Sequence, residues 1–323
     1  MARPPCDEQE HSEAERVAGS LREAGYVAHV ESFDSRGASG PWLACYAGAS
    51  ALAAVLVYPL PLATAILGIA ALVLHARDSD GRPLLFRSSC VGSNAVALAR
   101  HAVLPGVVVL APLLDRPGAG SRRSLTSSLQ GLMVAVPAGG AGAWIAEVDG
   151  ELPKAAATAG VAAAVAVVAL ALLLYRPPAG APRVSPATDV LLELAPLLAD
   201  HPVWLVATGA AGSRADAVRA LLDEHPRELA GCAWLNLVAG ASDGVVAVSE
   251  EGAWRERRSD RWLLDTAEEA GAVAGPYRAS TSATPLLARH RRALTLLTGS
   301  GPEDLRTLVA TVVAAARNES PRE

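Results

Sequence analysis

Residues 185–212 read SPATDVLLELAPLLADHPVWLVATGAAG. Val190, Leu191, Leu194, Leu197 and Leu198 recur at three- and four-residue spacings, which predicts a helix over 186–200 with one apolar face. Pro186 stands in its first turn, where a missing N–H costs nothing. His201-Pro202 closes the helix, because proline offers no amide and biases its predecessor toward extended backbone. The unbroken apolar run 203–207 then reads as a strand buried on both faces, as in a parallel sheet covered by helices. Helix, tight break, buried strand and small-residue turn together make an α/β unit, and chemistry in such a unit belongs at the turn.

Composition adds a second theme. Apolar residues make up 51% of the 323-residue chain and charged residues 19%, a balance that predicts part of the chain in lipid. A net charge of −5 gives no basic footprint for nucleic acid. Cys6, Cys45, Cys90 and Cys232 have no ligand-like spacing with one another or with histidine and are expected to be free thiols. The N-terminal MARPPCDEQEHSEAER is polar, without the apolar core of a signal peptide, so the chain is expected to start in the cytoplasm.

The apolar excess is concentrated. Residues 42–75 are apolar almost throughout and broken only by Tyr58-Pro59-Leu60-Pro61, which predicts a hairpin of two short membrane helices. A second pair is expected over 125–146, where Pro137 and the run Gly139 to Gly142 predict a kink, and over 155–175, the cleanest apolar stretch. Glu147, Asp149 and Glu151 lie in the turn of the second pair. Arg36, Arg77, Arg82, Arg122, Arg123, Arg176 and Arg183 flank the opposite ends. By the positive-inside rule the remaining, foldable segments face the cytoplasm from a multi-pass location in the cell membrane.

Those segments read as one interrupted α/β domain. Residues 13–26 are expected as a helix ending at Gly25, and 27–33, 83–87, 94–99 and 107–111 as strands. After the opening element come a helix over 213–225 with Ser213 as cap, strands over 232–238 and 245–248, and a helix over 260–270. A last strand over 293–298 follows, and then a helix from Pro302 with Ser300 and Glu303 as capping box.

The order of several short motifs resembles the M28 family of zinc aminopeptidases. LREAGYVAHVESF, GSNAVALAR, GVVVLAPLLD, LLELA, PVWLVATGA, AWLNLVAG and STSATPLL stand in the order of that family's helices, strands and metal-site segments. The resemblance implies a three-layer α/β/α sandwich on a mixed sheet, here interrupted by four transmembrane helices. The domain would occupy 1–37, 80–121 and 179–318, with membrane hairpins at 41–76 and 125–176. It also implies where metal ligands and a general base should stand, and those positions hold Pro112, Arg183, Ala210, Ala211, Val238 and Ala283. Asp115 falls one position late for the family aspartate.

A catalytic zinc needs three protein ligands from His, Asp, Glu or Cys. Proline, arginine, alanine and valine supply none, so no metal or other cofactor is expected, and Arg183 in the pocket would repel a dication. No G-x-S-x-G elbow, HExxH pair, P-loop or G-x-G-x-x-G replaces the lost chemistry. The expected function is a membrane-anchored, inactive M28-like protein serving as a binding or assembly subunit. Its partners are the lipid bilayer and a protein or acidic ligand met by Arg183, Arg289, Arg291 and Arg292. The basic run at 289–292 also reads as a solvated helix end. The other readings are an active membrane hydrolase with unmatched ligands, and a transport component, which the lack of ionisable groups within the apolar spans disfavours.

Overall fold

The computed structural model describes residues 8–35, 40–57, 60–79, 90–99, 106–115, 119–148, 163–168, 183–209, 214–239, 244–252, 256–277, 281–298 and 302–318. The chain divides into two compact units, Met1–Ala38, Arg87–Asp115 and Pro182–Glu323 in one, and Ser39–Phe86 and Arg116–Ala181 in the other. The helices are α1 (Glu8–Glu23), α2 (Gly40–Val55), α3 (Pro61–Ser79), α4 (Ala119–Val148), α5 (163–168), α6 (Pro186–Leu198), α7 (Arg214–Glu224), α8 (Arg261–Glu269), α9 (Thr284–Leu287) and α10 (Pro302–Asn318). The strands are β1 (Val27–Ser35), β2 (Cys90–Leu98), β3 (Val107–Pro112), β4 (Leu114–Asp115), β5 (Arg183–Val184), β6 (Val203–Thr208), β7 (Ala233–Ala239), β8 (Val245–Glu251), β9 (Arg257–Arg258), β10 (Val273–Tyr277) and β11 (Ala293–Thr298).

In the first unit a mixed sheet runs in the order β1-β2-β6-β3-β7-β11-β8-β10, with β9 on β8. Strands β6, β3, β7 and β11 are parallel, while β2 is antiparallel to both β1 and β6, and β8 is antiparallel to β11. Val203, Leu205 and Ala207 of β6 pack with α1, α6, α8 and α10 on one face. Trp204 and Val206 pack with α7 and α9 on the other. Helices on both faces explain the unbroken apolar reading of 203–207 and make the three-layer arrangement expected from the sequence.

Helix α6 starts where its sequence predicts, with the Ala187 N–H donating to the Ser185 Oγ at 3.3 Å and Pro186 in the first turn. Leu191, Leu194 and Leu198 are fully buried, each worth roughly 1.5–3 kcal/mol. The chain leaves and re-enters this unit at antiparallel pairs, Ser35 opposite Cys90 in the mixed sheet and Asp115 opposite Arg183 in a separate two-stranded ribbon.

The second unit departs from the expected membrane hairpins. Among the described residues no helix is long and apolar enough to cross a membrane, so the expectation of four transmembrane helices finds no support there. Helix α2 has 16 residues, about 24 Å against a core of about 30 Å. Helix α3 ends in a polar turn holding Arg77, and the 30 residues of α4 are diluted by serine, glycine and Pro137. Pro137 does not break α4. It lies against Gly68 of α3, where an added Cβ would sit 3.0 Å from the proline ring. Of the expected span over 155–175, only α5 is among the described residues.

This unit is built with small and polar groups inside. Ser50 and Thr64 are fully buried, and the Thr64 hydroxyl donates to the Ala53 carbonyl at 2.7 Å. Leu52, Val55, Ile66, Ile69, Ile145 and Val165 are by contrast all more than half exposed.

Two smaller expectations change as well. Cys90 is disulfide-bonded, whereas Cys45 and Cys232 are not in disulfides. Strand β2 begins at Cys90, four residues before the expected 94–99. The expected strand at 83–87, the cap at Ser213, Ser300 of the expected capping box, and Cys6 lie outside the described residues.

Candidate functional site

The parallel strands β6, β3, β7 and β11 all end on the same edge of the sheet. From β3 the chain passes through α6 to β6 on one side, then through α7 to β7 on the other. The connection order therefore reverses at β3, and in an open α/β sheet ligands bind outside the carboxyl ends of the strands at such a point. Pro112 is the last residue of β3, and Val238 is the penultimate residue of β7. Strand alternation puts both on the face of Leu110 and Trp234, the face that Ala283 also packs against.

The structure thus brings three of the expected positions to one face of the sheet. Arg183 stands in β5 opposite Asp115, a short ribbon directly before α6. Ala210 and Ala211 lie outside the described residues, just beyond Gly209. That glycine is held tightly: its N–H donates to the Asn94 Oδ1 at 3.0 Å, and a Cβ on it would come within 2.5 Å of the Glu10 Oε1. Glu10 also accepts from the Ser93 N–H at 3.1 Å, so α1 and β2 together shape the end of β6.

Two hydrogen bonds tie the end of β3 to its neighbours. The Thr188 hydroxyl donates to the Pro112 carbonyl at 2.5 Å, and the Thr208 hydroxyl donates to the Ala111 carbonyl at 3.3 Å. Val238 and Ala283 are buried. Proline, valine and alanine side chains have no lone pair to offer a metal, so these residues do not fit a zinc ion. Among the described residues no group of three or more His, Cys, Asp or Glu is arranged to hold one.

The arginines at 289–292 have partners within their own fold. Arg289 meets Asp223 at 3.7 Å, Arg291 donates to the Ala230 carbonyl, and Arg292 meets Asp260 at 3.5 Å while lying 5.0 Å from the Trp262 ring. The segment ends α9: His290 takes φ 56°, and the Arg291 N–H returns to the Leu286 carbonyl at 3.0 Å. Beside Arg291, burial pushes the Cys232 thiol up to about 11, more than the guanidinium pulls it down, which leaves an inert thiol.

The largest polar construction went unread in the sequence. Glu251, at the end of β8, is 1% exposed. Its carboxyl accepts from the hydroxyls of Thr281 at 2.9 and 3.0 Å, Thr284 at 2.6 Å and Thr295 at 2.6 Å. Asn236 of β7 donates from its amide nitrogen to Thr281 at 3.1 Å and to Thr295 at 3.2 Å. Burial drives the carboxyl's pKa up against the pull of these hydroxyls. The one sequence signal was a glutamate pair closing an apolar strand.

No family model and no curated protein matches this sequence. Several solved structures align over nearly the whole chain. A zinc aminopeptidase from Bacillus subtilis is 10% identical, with 98% of this chain and 89% of that chain covered at a TM-score of 0.45. Tannerella forsythia glutaminyl cyclase is 11% identical, with 99% and 94% covered at a TM-score of 0.43. A leucine aminopeptidase precursor from Bacteroides thetaiotaomicron is 10% identical, with 99% and 92% covered at a TM-score of 0.42. At TM-scores below 0.5 the likeness assigns no activity to this chain.

Proposed function

We propose that the chain is a membrane-seated, non-catalytic binding or assembly subunit built on an M28-like α/β domain. The observation that carries this reading is chemical: Pro112 and Val238 stand at the carboxyl ends of β3 and β7, where the connections reverse, and Ala283 packs on the same face of the sheet. Their side chains neither ligate a metal nor move a proton, while the fold around them is intact. A surface that keeps its architecture without its chemistry serves recognition. Arg183, in the ribbon before α6, is the residue proposed to meet an acidic group of the partner.

Seating in lipid is supported by the second unit's distribution of residues. Water drives large aliphatic side chains inward, yet here Ile66 and Val165 are 59% and 64% exposed while Ser50 and Thr64 are fully buried. Small residues at helix contacts and large aliphatics outside are the pattern of helices packed in a bilayer. The arginines flanking the apolar segments favour the cytoplasmic side for the α/β unit under the positive-inside rule. A second reading of the side rests on Cys90, since a disulfide favours an oxidising compartment.

Fractionation comes first. The chain should stay with membranes through an alkaline carbonate wash and leave them only with detergent. Release by carbonate alone would remove the lipid reading. The detergent-purified protein should then show no metal-dependent peptide hydrolysis and should co-purify with a partner that Arg183→Ala loses. Zinc-dependent turnover would end the non-catalytic reading, and maleimide labelling in intact cells of a cysteine introduced at the exposed Val273 assigns the side.

A further inference from the structure

We propose that β1 is the self-pairing edge of this chain: the β1 strands of two copies join antiparallel about a two-fold axis at Val30, making one continuous sheet. The direction in which β1 offers its main-chain groups follows from its neighbour. The Ala99 N–H reaches the Val203 carbonyl of β6 at 3.3 Å, so alternate residues of β2, Ala97, Ala95 and Ser93, aim their N–H and C=O to the β6 side. Their partners on β1, Ala28, Val30 and Ser32, therefore aim theirs away from β2. The Ala28 carbonyl accordingly accepts from the Arg22 Nε at 2.7 Å.

The sheet treats its two edges differently. At one edge β10 is five residues long, carries Pro276 and shifts register between Gly275 and Pro276, features that spoil pairing with a further strand. At the other edge β1 runs for nine residues in unbroken register with β2 and contains neither proline nor lysine. Val27, His29, Ser32 and Asp34 along it are exposed. An edge built this way is a template for another strand.

The side chains select the occupant and the register. Centring two antiparallel copies on Glu31 sets two carboxylates face to face, and centring them on His29 sets two imidazoles so. Centring on Ser32 sets Glu31 opposite the apolar Phe33. Centring on Val30 instead puts His29 of each copy directly opposite the partner's Glu31, a pairing that the two-fold axis repeats. Imidazole and carboxylate of these same residues already lie 2.9 Å apart within one chain. In this register Val30 exchanges both main-chain bonds with the partner's Val30, and Ala28 pairs with the partner's Ser32. The strand is complementary to itself, so the occupant is a second copy of this chain.

The test is the mass of the full chain in detergent, measured by light scattering over a dilution series. The wild type should be a dimer that dissociates on dilution. Val30→Pro removes an N–H that β2 does not use, a change an edge strand tolerates. Losing that donor from both copies should raise the dissociation constant about tenfold or more while the fold persists. His29→Glu sets carboxylate against carboxylate, and Glu31→Lys sets an ammonium against an imidazole. Each charge variant alone should be monomeric, and a mixture of the two should dimerise, because only the mixed pair is complementary. That mixture decides should Val30→Pro fail to fold. A wild type that is monomeric at every concentration overturns the proposal and leaves the edge to a strand of another protein. A dimer that Val30→Pro or both charge variants leave intact assembles elsewhere and overturns it too, as does a mixture that stays monomeric.

Discussion

The Nε2 of His225, just past the end of α7, lies 2.8 Å from the Oε1 of Glu31 on β1, and the same oxygen is 2.9 Å from the Nε2 of His29. The His225 ring also stands edge-on to Trp204, with centroids 5.1 Å apart. An edge strand, a helix end and the central strand β6 thus meet in one side chain. His225→Ala should destabilise the α/β unit by about 1–2 kcal/mol through one lost hydrogen bond and one lost ring contact. His225→Gln should recover the hydrogen-bond part. Denaturant titration at neutral pH measures both, and a loss below about 0.5 kcal/mol for alanine would mean that the helix end is held elsewhere.

The helical unit contains a close approach that bulk should disrupt. A Cβ on Gly140 would lie 2.7 Å from the Thr64 Cγ2 and 2.8 Å from the Ala65 backbone nitrogen, whereas one on Gly142 meets open space. Gly140→Val should cost about 1–3 kcal/mol in detergent melts, with Gly142→Val close to neutral. Equal effects at the two positions would mean that α3 and α4 do not pack at Gly140.

Metal should be irrelevant to stability. A resident ion that binds only the folded state raises the melting temperature in proportion to the logarithm of its saturation. Adding zinc in excess, or a strong chelator, should leave the midpoint of the purified chain unchanged. A rise of several degrees with zinc would require ligands from residues outside those described.

The turn after α9 carries a local strain that glycine relieves. His290 adopts φ 56°, a left-handed conformation disfavoured by its Cβ. His290→Gly should raise stability by about 0.5–1 kcal/mol, less whatever entropy glycine adds to the unfolded chain. The ion pairs of Arg289 and Arg292 should survive. A loss of stability would show that the imidazole itself makes a contact worth more than the strain.

The parts of the fold legible in the sequence are those whose information is local. Helix α6 could be read because its apolar spacing, its cap and its closing His201-Pro202 fall within one short stretch. The ends of β3 and β7 could be located because 107–111 and 232–238 are nearly continuous apolar runs. The helices of the second unit were legible as apolar but not as spans, since 16 residues in α2 and the polar end of α3 limit what composition alone promises. The Glu251 network could not be read at all. Its hydroxyls come from Thr281, Thr284 and Thr295 and its amide from Asn236, residues of unremarkable type that only the sheet order brings together. The ion-pair partners of Arg289 and Arg292 were illegible for the same reason, because Asp223 and Asp260 are distant in the chain.

Ser35 stands opposite Cys90, and Asp115 opposite Arg183, each as an antiparallel pair. To the strands so paired, one pair in the mixed sheet and one in its own two-stranded ribbon, every residue between is the loop of a β-hairpin, whatever it folds into. Closing a hairpin costs entropy that grows only with the logarithm of the loop length, so the sheet scarcely senses how much chain is spliced in. The helical unit is in this sense a detachable cassette carried on two hairpin tips. A lineage could gain or shed it without unthreading a strand, and a laboratory could exchange it for two short turns and still recover the domain that bore it.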